Sequence, residues 1–526
     1  MMNRHSLLPA LRRLLPLSSV ATAVILLFTG CGEGHREPTE ADRSSFGTYV
    51  YALDTVRLEL SLSMLVEGDT SHLLADQAVR HYYGAHPHLD DVSAPLWFSR
   101  MGVASDADSL LAVLRRELPR FGLDSTHFLV PEIATDLAVV HALAFDSLGI
   151  DINDLLPRLD YNLSRAYVRY CTGQRYGFMR PERVFNHLDP KGNDYARLFD
   201  YDVKAPDYAA SLNALTSPDR LGYLAASLPS NPMWHDLVHQ LDSTSDAVHR
   251  RTLAVNIERC RWQMATPAAD DSRRIVVNIP SQQLWAIAPD TVLNMRICCG
   301  TTLTKTPLLH SAVNVIHVNP DWIIPQSIVR GEIARHGGDS AYFARHRYYI
   351  VNRATGDTLR ASGVSVSQLE SGRLRVGQQG GPGNSLGRIV FRFPNDFAVY
   401  LHDTNNRSAF QRERRTLSHG CIRVEKPFDL ALFVLPELDE WTADRLRISM
   451  DLKPETDRGR DYLAEHASER RPHRLINAQK VEPRVPVYLI YYTAYPNPIT
   501  KEVELWPDLY GYDRVIANEL TDVLTQ

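Results

Sequence analysis

Apolar residues recur three and four apart from Phe46 to about Arg261, and at alternate positions from about Ser272 onward. The first spacing predicts amphipathic helices and the second half-buried strands. In the first half, "DADSLLAVLRRELPRFGL" at 106–123 predicts a helix whose start Asp106 or Ser109 caps. "ATDLAVVHALAFDSLGID", "LSRAYVRYCTGQRYGFM" and "HRRTLAVNIERCRWQMA" predict further helices, with Cys171 and Cys260 in their core. In the second half, "RRIVVNIPSQQLWAIA", "TVLNMRICCG", "AVNVIHVNP", "RYYIVNRATGDTLRASG", "GRIVFRFPN" and "FAVYLHD" read as short strands punctuated by Gly, Pro, Asn and Asp. A helical excursion is expected from Pro325 to Phe343, a charged helical insertion between Leu452 and Pro483, and one last strand in "VPVYLIYYTAY". The segment "ATPAADDS" at 265–272 has the composition of a linker. The chain is therefore expected to be α+β and multidomain, with an all-α unit at 46–265 and a mostly β unit at 272–526.

The first residues break both patterns. Arg4, Arg12 and Arg13 precede an apolar run from Leu14 to Phe28 that ends at Thr29-Gly30-Cys31, the layout of an export signal. The run is short and interrupted for a membrane span, which takes roughly 20 apolar residues. Small residues directly before a cysteine resemble the lipobox of bacterial lipoproteins, with Phe28 where that motif usually has leucine. The resemblance implies a signal peptide over 1–30, lipidation of Cys31, and a body held at a membrane in the periplasm or cell envelope. The polar stretch "GEGHREPTEADRSS" up to residue 45 reads as a flexible tether.

Composition is ordinary for globular domains, at 44% hydrophobic and 23% charged residues. A net charge of -5 gives no bulk attraction to nucleic acid, so no nucleic-acid partner is expected. With Cys31 set aside, Cys171, Cys260, Cys298, Cys299 and Cys421 remain, an odd number that leaves at least one thiol free. No CxxC pair and no His/Cys cluster at zinc spacing occurs, so neither metal nor cofactor is expected.

The candidate chemistry lies in "YLHDTNNRSAFQRERRTLSHGCIRV", Tyr400 to Val424. It reads either as a catalytic centre or as a basic surface hairpin around a buried thiol. If "LSHGCIRV" is extended, His419 and Cys421 project to one face, and Gly420 between them admits close approach of backbone. A thiol becomes a useful nucleophile when its pKa falls or a base stands beside it. Imidazoles are available at His402 and His419, and cations at Arg414, Arg415 and Arg423. The backbone N–H groups near Gly420 and Cys421 are candidates for an oxyanion hole.

"YLHDT" followed by "SHGCIRV", with His402 and Cys421 separated by 19 residues, resembles the signature of the L,D-transpeptidases with a YkuD-type catalytic domain. "TPLLHSAVNVIHVNPDWIIPQSIVRGEI", "QGGPGNSLGRIVFRFPN" and "LWPDLYGYD" are similar to the large branch of that family found in Gram-negative envelopes, and "YNLSRAYVRYCTGQRYG" resembles that branch's scaffold domain more weakly. The resemblance implies a mixed-sheet, sandwich-like catalytic domain with a capping segment at about 321–346. It assigns Cys421 as nucleophile and His402 as general base. Asp403 orients the imidazole through its backbone or side chain, and His419 shapes the pocket or is merely structural. Ser418 fixes the turn, Arg423 holds a carboxylate of the substrate or of a neighbouring strand, and Trp322 and Tyr400 contact substrate. The small peptidoglycan-binding module usual in that branch has little room between "YAASLNALTSPDRLGYL" and "NIERCRW". The reaction so implied joins peptidoglycan stem peptides 3-3 through a thioester. An L,D-carboxypeptidase, a wall-lipoprotein attaching or cleaving enzyme, and a non-catalytic wall-binding scaffold are the alternatives. Partners in wall synthesis are not readable from the residues.

Overall fold

The computed structural model describes residues 53–86, 95–99, 102–192, 194–262, 264, 273–469 and 473–525. The expected signal at 1–30, tether at 31–45 with Cys31, and linker at 265–272 lie outside the described residues. No helix among the described residues is long and apolar enough to cross a membrane.

The first half is helical, as its periodicity requires. Helices α1 (Thr55–Gly68), α2 (Leu74–Ala85), α3 (Ser105–Arg120) and α4 (Val130–Ala142) surround α5 (Ile152–Tyr176), which is buried along most of its length. A helix enclosed on all sides must pair its polar residues. Asp160 accepts from Leu96 N at 2.9 Å and from the Tyr83 hydroxyl at 2.6 Å, and Arg169 Nε donates to Asp76 Oδ1 at 2.7 Å. Cys171 is buried here, as expected. The expected cap of α3 is a miss. The helix starts at Ser105 behind Ala104, so Asp106 and Ser109 fall inside its first turns. Asp106 instead pairs with Arg220 at 3.3 Å, and Ser109 Oγ donates to Ser105 O at 3.1 Å.

One short strand of the helical half, β1 (Phe199–Asp200), joins the sheet of the second half. That sheet comprises β2 (Arg274–Asn278), β3 (Gln283–Ala288), β4 (Thr291–Gly300) and β5 (Leu308–Val318). The next strands, β6 (Trp322–Ile323), β7 (Tyr348–Asn352), β8 (Thr358–Leu359) and β9 (Leu374–Gln378), form a separate four-stranded sheet. The main sheet resumes with β10 (Ile389–Arg392), β11 (Leu401–His402), β12 (Thr416–Ser418), β13 (Ile422–Val424) and β14 (Ala478–Ile490). Its order is β10-β11-β13-β4-β3-β2-β14-β5, and β5 also pairs with β10, so the mixed sheet closes on itself. The smaller sheet and the helical turns between Gln326 and Arg345 enclose their own core of Ile324, Val329, Ile333, Phe343, Ile350 and Val376, and form the capping unit. In the charged insertion a helix spans Asp457–Glu465, capped by Thr456.

Helix α6 (Ala247–Arg261) ties the halves together. Asn256 Nδ2 donates to Thr493 Oγ1 at 2.7 Å and Thr493 N donates to Asn256 Oδ1 at 3.0 Å. Thr493 Oγ1 in turn donates to Asp513 Oδ2 at 2.5 Å, and Arg259 pairs with Asp513 at 2.6 Å. Replacing Asn256 strands a buried backbone N–H, which costs about 1–3 kcal/mol. Asn256→Ala is therefore expected to lower the urea midpoint of the strand-rich half. An unchanged midpoint would show that this network does not couple the halves.

Candidate active site

The strand β11 runs parallel to β13, with Leu401 opposite Ile422 and His402 opposite Arg423. The ladder continues one step back, where Ile422 N donates to Tyr400 O at 3.1 Å. Residues two apart on a strand share a face, so Tyr400 and His402 look the same way as Cys421 and Arg423. The Tyr400 and His402 rings meet edge to face, 5.8 Å between centroids. The same register places Val390 of β10 on one side of His402 and Cys298 of β4 beyond Arg423. His402 and Cys421 are thus diagonal neighbours. With strands about 4.8 Å apart and a rise of about 3.3 Å per residue, their Cα atoms are about 8 Å apart, a gap two side chains on one face can span.

Burial governs the charge of both groups. It pushes the half-buried Cys421 thiol up to about 11, although the Tyr400 backbone and hydroxyl and the Arg392 and Arg423 guanidiniums pull the other way. Burial, with Arg423 beside it, pushes the His402 imidazole down to about 3. Both shifts favour the uncharged form around pH 7, so of the two routes to a useful nucleophile the adjacent base is the one this environment leaves open. Among the described residues, His402 Nδ1 is buried without a hydrogen-bond partner, and Cys421 Sγ donates to Ala398 O at 3.7 Å. The cations expected around the thiol are fewer than the sequence suggested. Arg415 is buried elsewhere, its Nε donating to Ile297 O at 3.0 Å, and Arg414 Nε bonds Thr416 Oγ1 at 3.2 Å on the exposed side. Arg423 does face the site. No described carboxylate of a neighbouring strand pairs with it, and its Nε is buried without a partner.

The turn before Cys421 departs from the extended reading. Strand β12 ends at Ser418 and runs parallel to β4, whereas β13 runs antiparallel to it, so the chain reverses at His419-Gly420. Gly420 makes the reversal with φ +115°, a left-handed conformation that side chains resist. His419 and Cys421 therefore do not share a strand face. His419 is exposed, and its Nε2 pairs with Glu332 Oε1 of the capping unit at 2.8 Å. Ser418 fixes the turn as expected: its Oγ donates to Cys421 O at 2.5 Å and accepts from Gly420 N at 3.2 Å. That bond occupies the Gly420 N–H, removing it from the expected oxyanion hole and leaving the Cys421 N–H as candidate. Thr306, which the sequence did not single out, donates from Oγ1 to Gly420 O at 2.8 Å and clamps the loop.

Asp403 points away from the imidazole. Its side chain accepts from Arg388 N at 2.9 Å and pairs with Arg407 at 3.3 Å, and a Cβ on Gly387 would come within 2.4 Å of it. Its carboxylate thus braces the turn into β10, and only its backbone acts on the His402 ring. From the cap, the half-buried Trp322 side chain approaches the Tyr400 hydroxyl, which also lies near the Cys421 sulfur. Arg392, also missed, carries its guanidinium over the Tyr400 ring, 5.1 Å from the centroid. Nothing in "RIVFRF" marks it, since Arg392 takes the face opposite the core residue Phe391 and only the pairing of β10 with β11 brings it beside Tyr400.

Residues 272–445 match the model of the L,D-transpeptidase catalytic domain, and residues 78–241 that of a scaffold domain. The chain is also similar to a Haemophilus influenzae protein named "Putative L,D-transpeptidase", 30% identical over 312 residues. That match covers 58% of this chain and 58% of the relative, so the chain spans under two thirds of the relative's length.

A thiol held near 11 is a poor resting nucleophile toward small alkylating agents. Alkylation of Cys421 by iodoacetamide is expected to rise with a midpoint near pH 11, and His402→Ala to leave that midpoint in place, because a neutral ring lends the sulfur no charge. A midpoint near pH 7 that His402→Ala abolishes would contradict the electrostatics.

Proposed function

We propose that the chain, whose residues 272–445 match the L,D-transpeptidase catalytic domain and residues 78–241 a scaffold domain, cross-links peptidoglycan stem peptides by acyl transfer through Cys421. The observation that carries this reading is the register of β11 on β13, which turns Cys421 and His402 to one face of the sheet. As the Cys421 sulfur bonds the carbonyl carbon of the third residue of a tetrapeptide stem, its proton passes to His402. The tetrahedral oxyanion takes the Cys421 N–H. Collapse breaks the C–N bond, and His402 returns the proton to the departing amine, releasing D-alanine and leaving a thioester. The side-chain amine of a diaminopimelate in a second stem then attacks the thioester and loses its proton through His402 to the sulfur. The products are a 3-3 amide and the free thiol.

His402 accepts the proton only when uncharged, the form that burial and Arg423 favour. Cys421 keeps its proton until about 11. A thioester remains activated enough to yield to an amine without ATP. Ser418 and Gly420 hold the loop that presents the sulfur, and Trp322 and Tyr400 form the substrate-facing wall between cap and sheet. Lipidation at Cys31 is proposed to tether the enzyme at an envelope membrane, raising its effective concentration at the wall.

Incubation with purified tetrapeptide muropeptides is expected to yield 3-3 dimers and free D-alanine, and Cys421→Ser to abolish both. Tripeptides without dimers would show an L,D-carboxypeptidase, and no product together with no carbapenem adduct at Cys421 would overturn catalysis altogether. The rate of Cys421 acylation by a carbapenem is expected to stay flat between about pH 5 and 9, since neither group titrates there. An acid limb near pH 6–7 would show that His402 carries an ordinary imidazole pKa.

A further inference from the structure

Two guanidinium groups stand on the reactive face around Cys421, one along its strand and one across the sheet, and no described carboxylate neutralises either. Arg423 is two residues along β13 from the sulfur and lies opposite His402 in register. Arg392 comes from the other direction. Phe391 pairs with Leu401, which puts Arg392 beside Tyr400 on the same face, and its guanidinium lies over the Tyr400 ring at 5.1 Å. Tyr400 is the residue alongside Cys421 in the next strand. Neighbouring carboxylates are committed elsewhere: Asp396 to Arg197 at 3.5 Å, Asp403 to Arg407 at 3.3 Å, and Glu425 to Arg296. A guanidinium kept out of an ion pair at a reaction centre is set to receive an anion, and its planar fork matches a carboxylate.

The two cations are not equivalent toward an acyl donor. The leaving amine must sit by His402 to recover its proton, so the leaving residue and its terminal carboxylate lie on the Arg423 side. The acyl residue, still joined to the sulfur, lies on the side of Tyr400 and Arg392. We infer that Arg392 is a specificity residue that binds the side-chain carboxylate of the acyl residue, selecting donors whose third residue is a diamino dicarboxylic acid over donors in which it is a diamino monocarboxylic acid. Arg392 takes no part in the covalent steps. It holds the acyl residue so that its carbonyl rests over the sulfur. This assignment rests on the acyl-transfer reading above and deepens it.

The test uses the full chain and two tetrapeptide donors that differ only in the third residue, meso-diaminopimelate or L-lysine, with D-alanine release as the readout. Wild type is expected to favour the diaminopimelate donor. Arg392→Met is expected to lower kcat/KM for that donor about 10- to 100-fold, chiefly through KM, the loss of one hydrogen-bonded charge contact. The same variant should leave the lysine donor at its wild-type rate, which also shows that the variant folds, and Arg392→Lys should restore part of the preference. Equal loss on both donors, no loss on either, or a wild type that does not discriminate would each overturn the assignment. D-alanine release from neither donor by the wild type would instead remove the acyl-transfer reading, and the assignment with it.

Discussion

The register of two short strands carries the site. Side chains alternate across a strand, so sliding β11 by one residue along β13 would turn His402 away from Cys421 and bring Leu401 onto the reactive face. Strands as short as these cannot hold a register alone. β11 is held by β10, with Val390 opposite His402, and β10 is held by β5 where the sheet closes. β13 is held by β4, with Arg423 opposite Cys298. The Asp403 carboxylate then locks the entry to β10 from the opposite face. The residues around the reactive pair are largely a means of keeping that register.

The same burial that builds the closed sheet sets its chemistry. A buried charge without a partner is costly, so the thiol keeps its proton and the imidazole refuses one. Arg423 adds to the cost of protonating His402. The result is a pair uncharged at rest that separates charge only as a carbon–sulfur bond forms, where the Cys421 N–H can receive the developing oxyanion. The cap contributes at the same place. Trp322 reaches the Tyr400 hydroxyl and Glu332 reaches His419, so both cap contacts end on residues adjoining the sulfur.

The two textures, the strand-rich half, the helical excursion of the cap and the buried Cys171 and Cys260 were legible in the sequence, because each expresses a period or an apolar environment that neighbours impose. The participation of β1 was not. Two residues, Phe199 and Asp200, show no alternation, and only pairing with Leu308 and Leu309 makes them a strand. The reversal at Gly420 was hidden for a related reason: "LSHGCIRV" has strand composition throughout, and only the positive φ separates β12 from β13. Proximity in sequence overstated Arg414 and Arg415, whose side chains bond Thr416 and the buried Ile297 carbonyl instead. Arg392 was overlooked because it lies outside the motif, although the sheet delivers it to the same face.

The account turns on the protonation of one ring. Nitrogen-15 NMR of the protein labelled at histidine, with His402 assigned by its loss in His402→Gln, reports that state directly between pH 4 and pH 9. The predicted result is a neutral imidazole across the range, with no inflection. A His402 signal that moves to the imidazolium position with a midpoint near pH 6.5 or above would contradict the neutral ring that burial and Arg423 are held to impose.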